Sequence, residues 1–192
     1  MEFTRRQGEI LEAASKLLLR KGIQGFTTKN LAIQVKFSEA ALYRHFKNKE
    51  TIIISMLSYL ASEMEERLVA LNQDVHNPAK KIKNIYNEQF KFLSKNKHYL
   101  IVAFSDGLWE DNKNIYEAVN NILEANKKHI SSIVSEGIAE GKFSKKVNKQ
   151  TLENIVMGAY RQHLLEWKMA KYKTDIVATG KELAKDIVKL IK

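Results

Sequence analysis

The stretch FTTKNLAIQVKFSEAALYRHFKNKE (residues 26–50) decides the fold. Thr27 is a favoured N-cap type and predicts a helix over about Thr28–Val35, with Leu31, Ala32 and Val35 facing inward. Ser38 predicts another over Glu39–Phe46, in which Leu42 and Phe46, at i and i+4, face a core. Only Lys36, Phe37 and Ser38 separate the two. Two short helices joined by a three-residue turn form the helix-turn-helix arrangement. Upstream, Ile10, Ala13, Ala14, Leu17 and Leu18 form the apolar stripe of a helix from about Thr4 to Lys21, and Gly22 stops it. Downstream, Asn48 can cap a fourth helix running from Lys49 to about Leu71.

With Leu42 and Phe46 committed inward, Glu39, Ala40, Tyr43, Arg44 and Lys47 face outward and His45 lies near the boundary. An exposed Tyr and Arg beside a small Ala suit a helix lying in a DNA major groove. Ala40 permits close approach or contact with a thymine methyl, and Arg44 can bond guanine O6 and N7 in a bidentate way. Thr27, Thr28 and Ser38 at helix N-termini offer hydroxyls and backbone N–H groups to phosphates. Lys49 can neutralise a further phosphate.

The string Phe26-Thr27-Thr28-Lys29-Asn30-Leu31-Ala32, followed by residues 37–50 with Leu42-Tyr43-Arg44-His45-Phe46 at their centre, resembles the DNA-binding domain of the TetR family of bacterial repressors. Ile10-Leu11-Glu12-Ala13-Ala14 shares the likeness, which covers residues 4–55. The resemblance implies that Thr27 or Thr28, Ser38 and Tyr43 touch the phosphate backbone. It implies that Ala40 and Arg44 face base edges with Glu39 as a third reader, that His45 reaches a phosphate or a base, and that Lys49 anchors the fourth helix to the backbone. The family often has glycine then valine where this chain has Lys36 then Phe37. A positive φ is harder for Lys than for Gly.

The chain has 192 residues, 44% of them hydrophobic and 28% charged, an ordinary globular composition long enough to bury a core. It contains no cysteine, which excludes disulfides, thiolate metal sites and thiol catalysis. One proline and eight glycines indicate an almost wholly helical chain. The longest mostly apolar run, Thr51–Ala61, is too short to span a bilayer, and no signal peptide precedes Ile10, so the expected location is the cytoplasm and no membrane partner is expected. The net charge of +10 suits a polyanion partner. Residues 1–50 hold ten Lys and Arg against five Asp and Glu; the other 142 residues hold 22 against 17, so the excess is densest at the N-terminus.

The polar stretch from Leu71 to Pro78 marks a boundary, and helices are predicted at about 78–96, 97–106, 113–140, 149–172 and 176–191, with Gly107 and Gly141 as stops and Asn148 and Asp175 as caps. A basic loop occupies 141–148. The expected class is all-α: a helix-turn-helix DNA-binding domain over 1–48, then a larger helical domain over 49–192. TetR-like proteins use this second part to dimerise and to hold a small effector. Ile155, Met157, Gly158, Ala159, Leu164, Leu165, Ile187, Leu190 and Ile191 could form a four-helix homodimer seam. Phe90, Phe104, Trp109, Tyr116, Met157, Tyr160 and Trp167 are candidate walls for an apolar or amphipathic effector. The resulting expectation is a ligand-responsive homodimeric repressor on a palindromic operator.

No cofactor or metal motif is visible, and no enzyme is expected. There is no Gly-rich phosphate loop and no Gly-x-Ser-x-Gly. His163 and Glu166 have the i, i+3 spacing of a carboxylate di-iron helix, but that site needs a second such pair and none occurs. Two rival readings remain. Residues 38–46 also look like the nucleoid-occlusion branch of the family, which acts through DNA and a protein partner. A basic helical protein at an anionic membrane surface would share the charge.

Overall fold

A computed structural model describes residues 3–105 and 112–192. Every regular element among them is helical: α1 Arg5–Lys21, α2 Thr28–Val35, α3 Glu39–Tyr43, α4 Lys49–Asn72, α5 Pro78–Lys95, α6 His98–Ala103, α7 Lys113–Ala139, α8 Lys149–Met169 and α9 Ile176–Leu190. The predicted caps do bond. Thr27 accepts from Asn30 N–H, Ser38 from Ala41 N–H, Asn148 from Thr151 N–H, and Asp175 from the N–H groups of Val177 and Ala178. The Asn48 side chain accepts from Thr51 N–H at 2.8 Å. Thr4 adds a capping box with Gln7.

Three helices end earlier than the pattern predicts. Beyond Tyr43 the chain tightens: His45 N–H reaches back to Leu42 O at 3.0 Å, an i→i−3 bond, so α3 is five residues long. α6 begins at His98 and closes at Ala103. α8 stops at Met169 because Lys171 (φ 53) and Tyr172 (φ 61) are both left-handed. The Tyr172 ring meets Trp167 edge-on at 4.8 Å, and Trp167 Nε1–H donates to Thr174 O at 2.9 Å, which fixes that turn. Gly141 (φ 66) follows α7 as expected, whereas Gly107 lies outside the described residues.

The chain forms two compact units. The first comprises residues 1–63 and 96–122, the second 64–95 and 123–192. In the first, α1 packs on α2 and on α6. Ile10, Leu17, Leu18, Phe26, Leu31 and Leu42 are its fully buried centre, and Ile52, Ile53 and Leu57 of α4 are buried with them. In the second, α9 lies along α5 and α8 packs beside α9. Close approach of α9 to α5 depends on Gly180, where a Cβ would stand 2.6 and 2.8 Å from Phe90 Cε2 and Cγ, and nearer still to Cδ2.

Candidate DNA-reading face and aromatic cluster

The first unit holds all nine residues expected at DNA. Leu42 (0% exposed) and Phe46 (3%) are buried, and this orients the opposite side of α3 outward. Glu39, Ala40, Tyr43 and Arg44 are exposed, as are Thr27 and Ser38; Thr28, His45 and Lys49 are half-buried. Among the described residues Lys29, Arg44 and Lys47 form no ion pair, so three cations near this face are available to an anion. Lys49 Nζ sits 5.8 Å from the Phe26 ring centroid, and burial pushes its ammonium below the ordinary lysine range.

Glu39 is the one acid on the reading helix. Its carboxylate accepts from Thr28 Oγ1–H at 2.8 Å, joining the N-terminal turns of α2 and α3. The turn between them is left-handed at Lys36 (φ 58, ψ 41), the position where the family often has glycine. Lys36 N–H and Phe37 N–H return to Ile33 O and Ala32 O at 3.2 and 2.9 Å. Phe37 stacks on His45 with ring centroids 6.1 Å apart, and the Arg6 guanidinium lies 5.9 Å from the same ring. Gln7 Nε2–H donates to His45 O at 3.2 Å. The start of α1 therefore braces the end of α3. At the start of α4, Glu50 accepts from Asn114 Nδ2–H at 2.6 Å, and that bond together with one from Asn112 holds its carboxyl below the usual range.

The second unit contains an aromatic cluster. Phe90 (0% exposed) meets Tyr160 at 5.0 Å, Tyr86 at 5.7 Å and His163 at 5.4 Å between ring centroids. Tyr86 O–H donates to the carbonyl of Val156, and burial pushes its hydroxyl far above the ordinary tyrosine range. His163 Nε2 lies 2.9 Å from Thr179 Oγ1; since that hydroxyl donates to Asp175 O at 3.1 Å, the imidazole N–H is the donor to Thr179. Burial lowers the His163 pKa, against the opposing pull of Glu166, which favours the neutral ring. On α5, Gln89 (4% exposed) donates to Asn126 Oδ1 at 2.6 Å.

Of the proposed pocket walls, Phe90 and Tyr160 are in contact, and Met157 is half-buried on the same helix as Tyr160. Trp167 is buried against Tyr172 at the end of α8. Phe104 and Tyr116 belong to the first unit, and Tyr116 is 52% exposed. Trp109 lies outside the described residues. Sequence reasoning missed Tyr86, although its place one turn before Phe90 on an apolar stripe with Ile82 and Leu93 was a usable signal. Of the seam residues, Leu164, Ile187 and Ile191 are already buried within one chain, whereas Gly158 and Leu190 are exposed.

A three-helix reading head with an outward Tyr–Arg face defines a helix-turn-helix DNA-binding protein, and comparison with known proteins narrows the class. Residues 10–56 match the model of the bacterial regulatory proteins of the tetR family, and residues 56–191 match the YsiA-like protein C-terminal region. The chain belongs to the TetR family of DNA-binding transcriptional regulators, with a C-terminal ligand-binding region of the YsiA-like kind. It is 22% identical to the fatty acid metabolism regulator protein of Bacillus subtilis over 180 residues, covering 94% of this chain and 92% of that one. It is 26% identical to the nucleoid occlusion factor SlmA of Vibrio campbellii over 172 residues, covering 88% and 87%. The same fold occurs in the fatty acid degradation regulator FadR of Bacillus halodurans (TM-score 0.86, 19% identity, 98% and 97% covered). It also occurs in FadR of Bacillus subtilis solved with stearoyl-CoA (TM-score 0.83, 22% identity, 96% and 99% covered).

Proposed function

We propose that the protein is a cytoplasmic, ligand-responsive repressor that binds a palindromic operator as a homodimer and releases it on binding a fatty acyl-CoA. The observation carrying the DNA-binding part is the outward presentation of Ala40, Tyr43 and Arg44 on a helix anchored by buried Leu42 and Phe46. Arg44 and Ala40 read base edges, with Glu39 beside them. Thr27, Thr28, Ser38, Tyr43, His45 and Lys49 hold the phosphate backbone. Two such heads related by a two-fold axis require two half-sites spaced by the helical repeat. The seam is formed by the outward residues of α8 and α9, including Gly158 and Leu190, which a single chain leaves exposed.

The effector reading rests on the aromatic cluster of Phe90, Tyr86 and Tyr160 in the second unit and on the stearoyl-CoA bound by a relative of the same fold. An acyl-CoA is amphipathic, and its acyl chain is the part that aromatic side chains would contact. It acts only through a difference in affinity between the two spacings of the heads. Selection of bound duplexes from a random pool, followed by titration of stearoyl-CoA against the selected duplex, tests both parts. Recovery of a palindrome and its release by stearoyl-CoA are expected. Failure to recover any preferred duplex refutes the DNA reading, and insensitivity of a recovered duplex to acyl-CoAs refutes the effector.

The SlmA relatives favour a second reading, a nucleoid-occlusion role through a protein partner. A genome-wide binding map separates the two: one or a few promoter sites support the repressor, and sites scattered round the chromosome support the alternative.

A further inference from the structure

Between Glu12 and Glu50 the chain carries eight Lys and Arg and a single acid, Glu39. The two flanking acids are engaged elsewhere: Glu12 accepts from Lys16 Nζ and Glu50 from Asn114 Nδ2, each at 2.6 Å. Glu39 is exposed in the first turn of α3 and forms no ion pair among the described residues. An unpaired carboxylate on a face that meets phosphates repels them and opposes binding. The helix does not need it as a cap, because the Ser38 side chain already accepts from Ala41 N–H. The carboxylate is nevertheless held in place, and from outside its own helix. Oε2 accepts from Thr28 Oγ1–H of α2 at 2.8 Å, while Oε1 accepts no hydrogen bond among the described residues.

We propose that Thr28 is a positioning residue: it holds the Glu39 carboxylate so that Oε1 accepts from the exocyclic N4 amino group of a cytosine, fixing one base of each half-site. The proposal rests on the reading of α3 as the helix that meets base edges. An ionised carboxylate can only accept hydrogen bonds. On the major-groove edge guanine offers O6 and N7 and thymine offers O4, all acceptors that repel it. Adenine offers the N6 donor but sets the N7 acceptor beside it, whereas cytosine presents the N4 donor with no acceptor on its own edge. A free glutamate would have several side-chain torsions to order on binding; the Thr28 bond orders them beforehand and lowers that cost. The Thr28 hydroxyl proton is thereby committed to Glu39. What Thr28 keeps for a phosphate is its backbone N–H, one of the four that open α2 without an intrahelical partner.

The test presents the full-length wild type, Thr28→Val and Thr28→Ser with duplexes carrying each of the four bases at every position of the selected operator, and reads affinity by fluorescence anisotropy. The wild type should favour cytosine over each other base at one position per half-site by roughly tenfold. Thr28→Val keeps the branched shape without the hydroxyl and should cut that ratio by about fivefold, the effect of one hydrogen bond, whereas Thr28→Ser should keep it. Ratios at the other positions are the internal reference, so a uniform weakening through phosphate contacts cancels. Glu39→Gln should admit adenine at the same position, since an amide can pair with N6 and N7 together. Circular dichroism verifies the fold, and Thr28→Ala replaces the valine variant if that one is unstable. A wild type with no preferred duplex refutes the helix-turn-helix reading and this proposal with it. A selected palindrome that lacks a cytosine-specific position overturns this proposal alone. So does a Thr28→Val variant whose Tm falls while its cytosine ratio stays at the wild-type value, the mark of a merely structural bond.

Discussion

Changing Gly180 to Ala should destabilise the protein, although alanine is the better helix former. Gly180 lies inside α9, where Gly→Ala favours the helix by about 1 kcal/mol. Its new methyl would fall less than 3.0 Å from three atoms of the Phe90 ring. That ring cannot swing aside. It is fully buried and flanked by Tyr86, Tyr160 and His163 at 5.0–5.7 Å between centroids. Relief must come from moving α9 off α5, and overpacking of this kind costs up to about 3 kcal/mol. The net effect is a loss of about 2 kcal/mol, or a fall in Tm of roughly 4–8 °C for a chain of this size. Gly8→Ala in α1 is the matched control, since nothing lies within 4 Å of its Cβ position, and it should gain about 1 kcal/mol. Thermal and urea unfolding of both variants measure the contrast, and Phe90→Leu in the Gly180→Ala background should recover about 1 kcal/mol or more as a coupling energy. If Gly180→Ala stabilises as much as Gly8→Ala does, the packing argument is wrong.

Four further substitutions have expected outcomes. Arg44→Ala should cost about 1–3 kcal/mol at the selected operator and relax one base position, whereas Lys49→Ala should weaken all duplexes alike and lower the salt slope by about 0.9; repeating the duplex selection with each variant checks both. Glu39→Gln removes the one acid of the reading helix and should strengthen binding to random duplexes by about 1 kcal/mol while loosening discrimination at one position. His98 is buried and its pKa is pushed down to about 4 by desolvation, against an ordinary 6.5. The unfolded chain therefore binds the proton first, so stability falls as pH drops from about 6.5 to 4, by about 3 kcal/mol in all. In His98→Asn that part of the loss should vanish from the pH dependence of urea unfolding, and identical profiles for the two proteins would contradict the assignment.

What could be read from sequence was local. Thr27, Ser38, Asn48, Asn148 and Asp175 were legible as caps because a cap bonds to an N–H two or three residues away. The outward face of α3 was legible because Leu42 and Phe46 fix its rotation. The end of α8 was not, since it depends on two left-handed residues held by the Trp167–Tyr172 contact. Nor was the grouping of the aromatics. Phe90 and Tyr160 are 70 residues apart in sequence, and periodicity says that each faces a core without saying that they face one another. For the same reason Phe104 and Tyr116, which belong to the first unit, could not be separated from them by pattern alone. The bond from Thr28 to Glu39 was also out of reach, because it depends on how α2 and α3 cross.

The turn at Lys36 shows how a chain departs from a family pattern at a site that matters. A non-glycine residue in the left-handed region costs about 1 kcal/mol or more. That cost falls on the hinge between the two helices that must dock on DNA, where distortion would be most damaging. The following residue supplies the compensation. Phe37 stands where the family often has valine, and its larger ring packs against His45 on one side and beneath Arg6 of α1 on another. Stacking and cation–π contacts of this kind contribute roughly 0.5–1.5 kcal/mol each. Two such contacts offset the strain, and they also tie the reading helix to α1 at a second point beyond the Gln7 bond to His45 O. Lys36 and Phe37 therefore act together: the lysine adds a charge beside the reading helix, and the phenylalanine helps to hold the left-handed turn that leads into it.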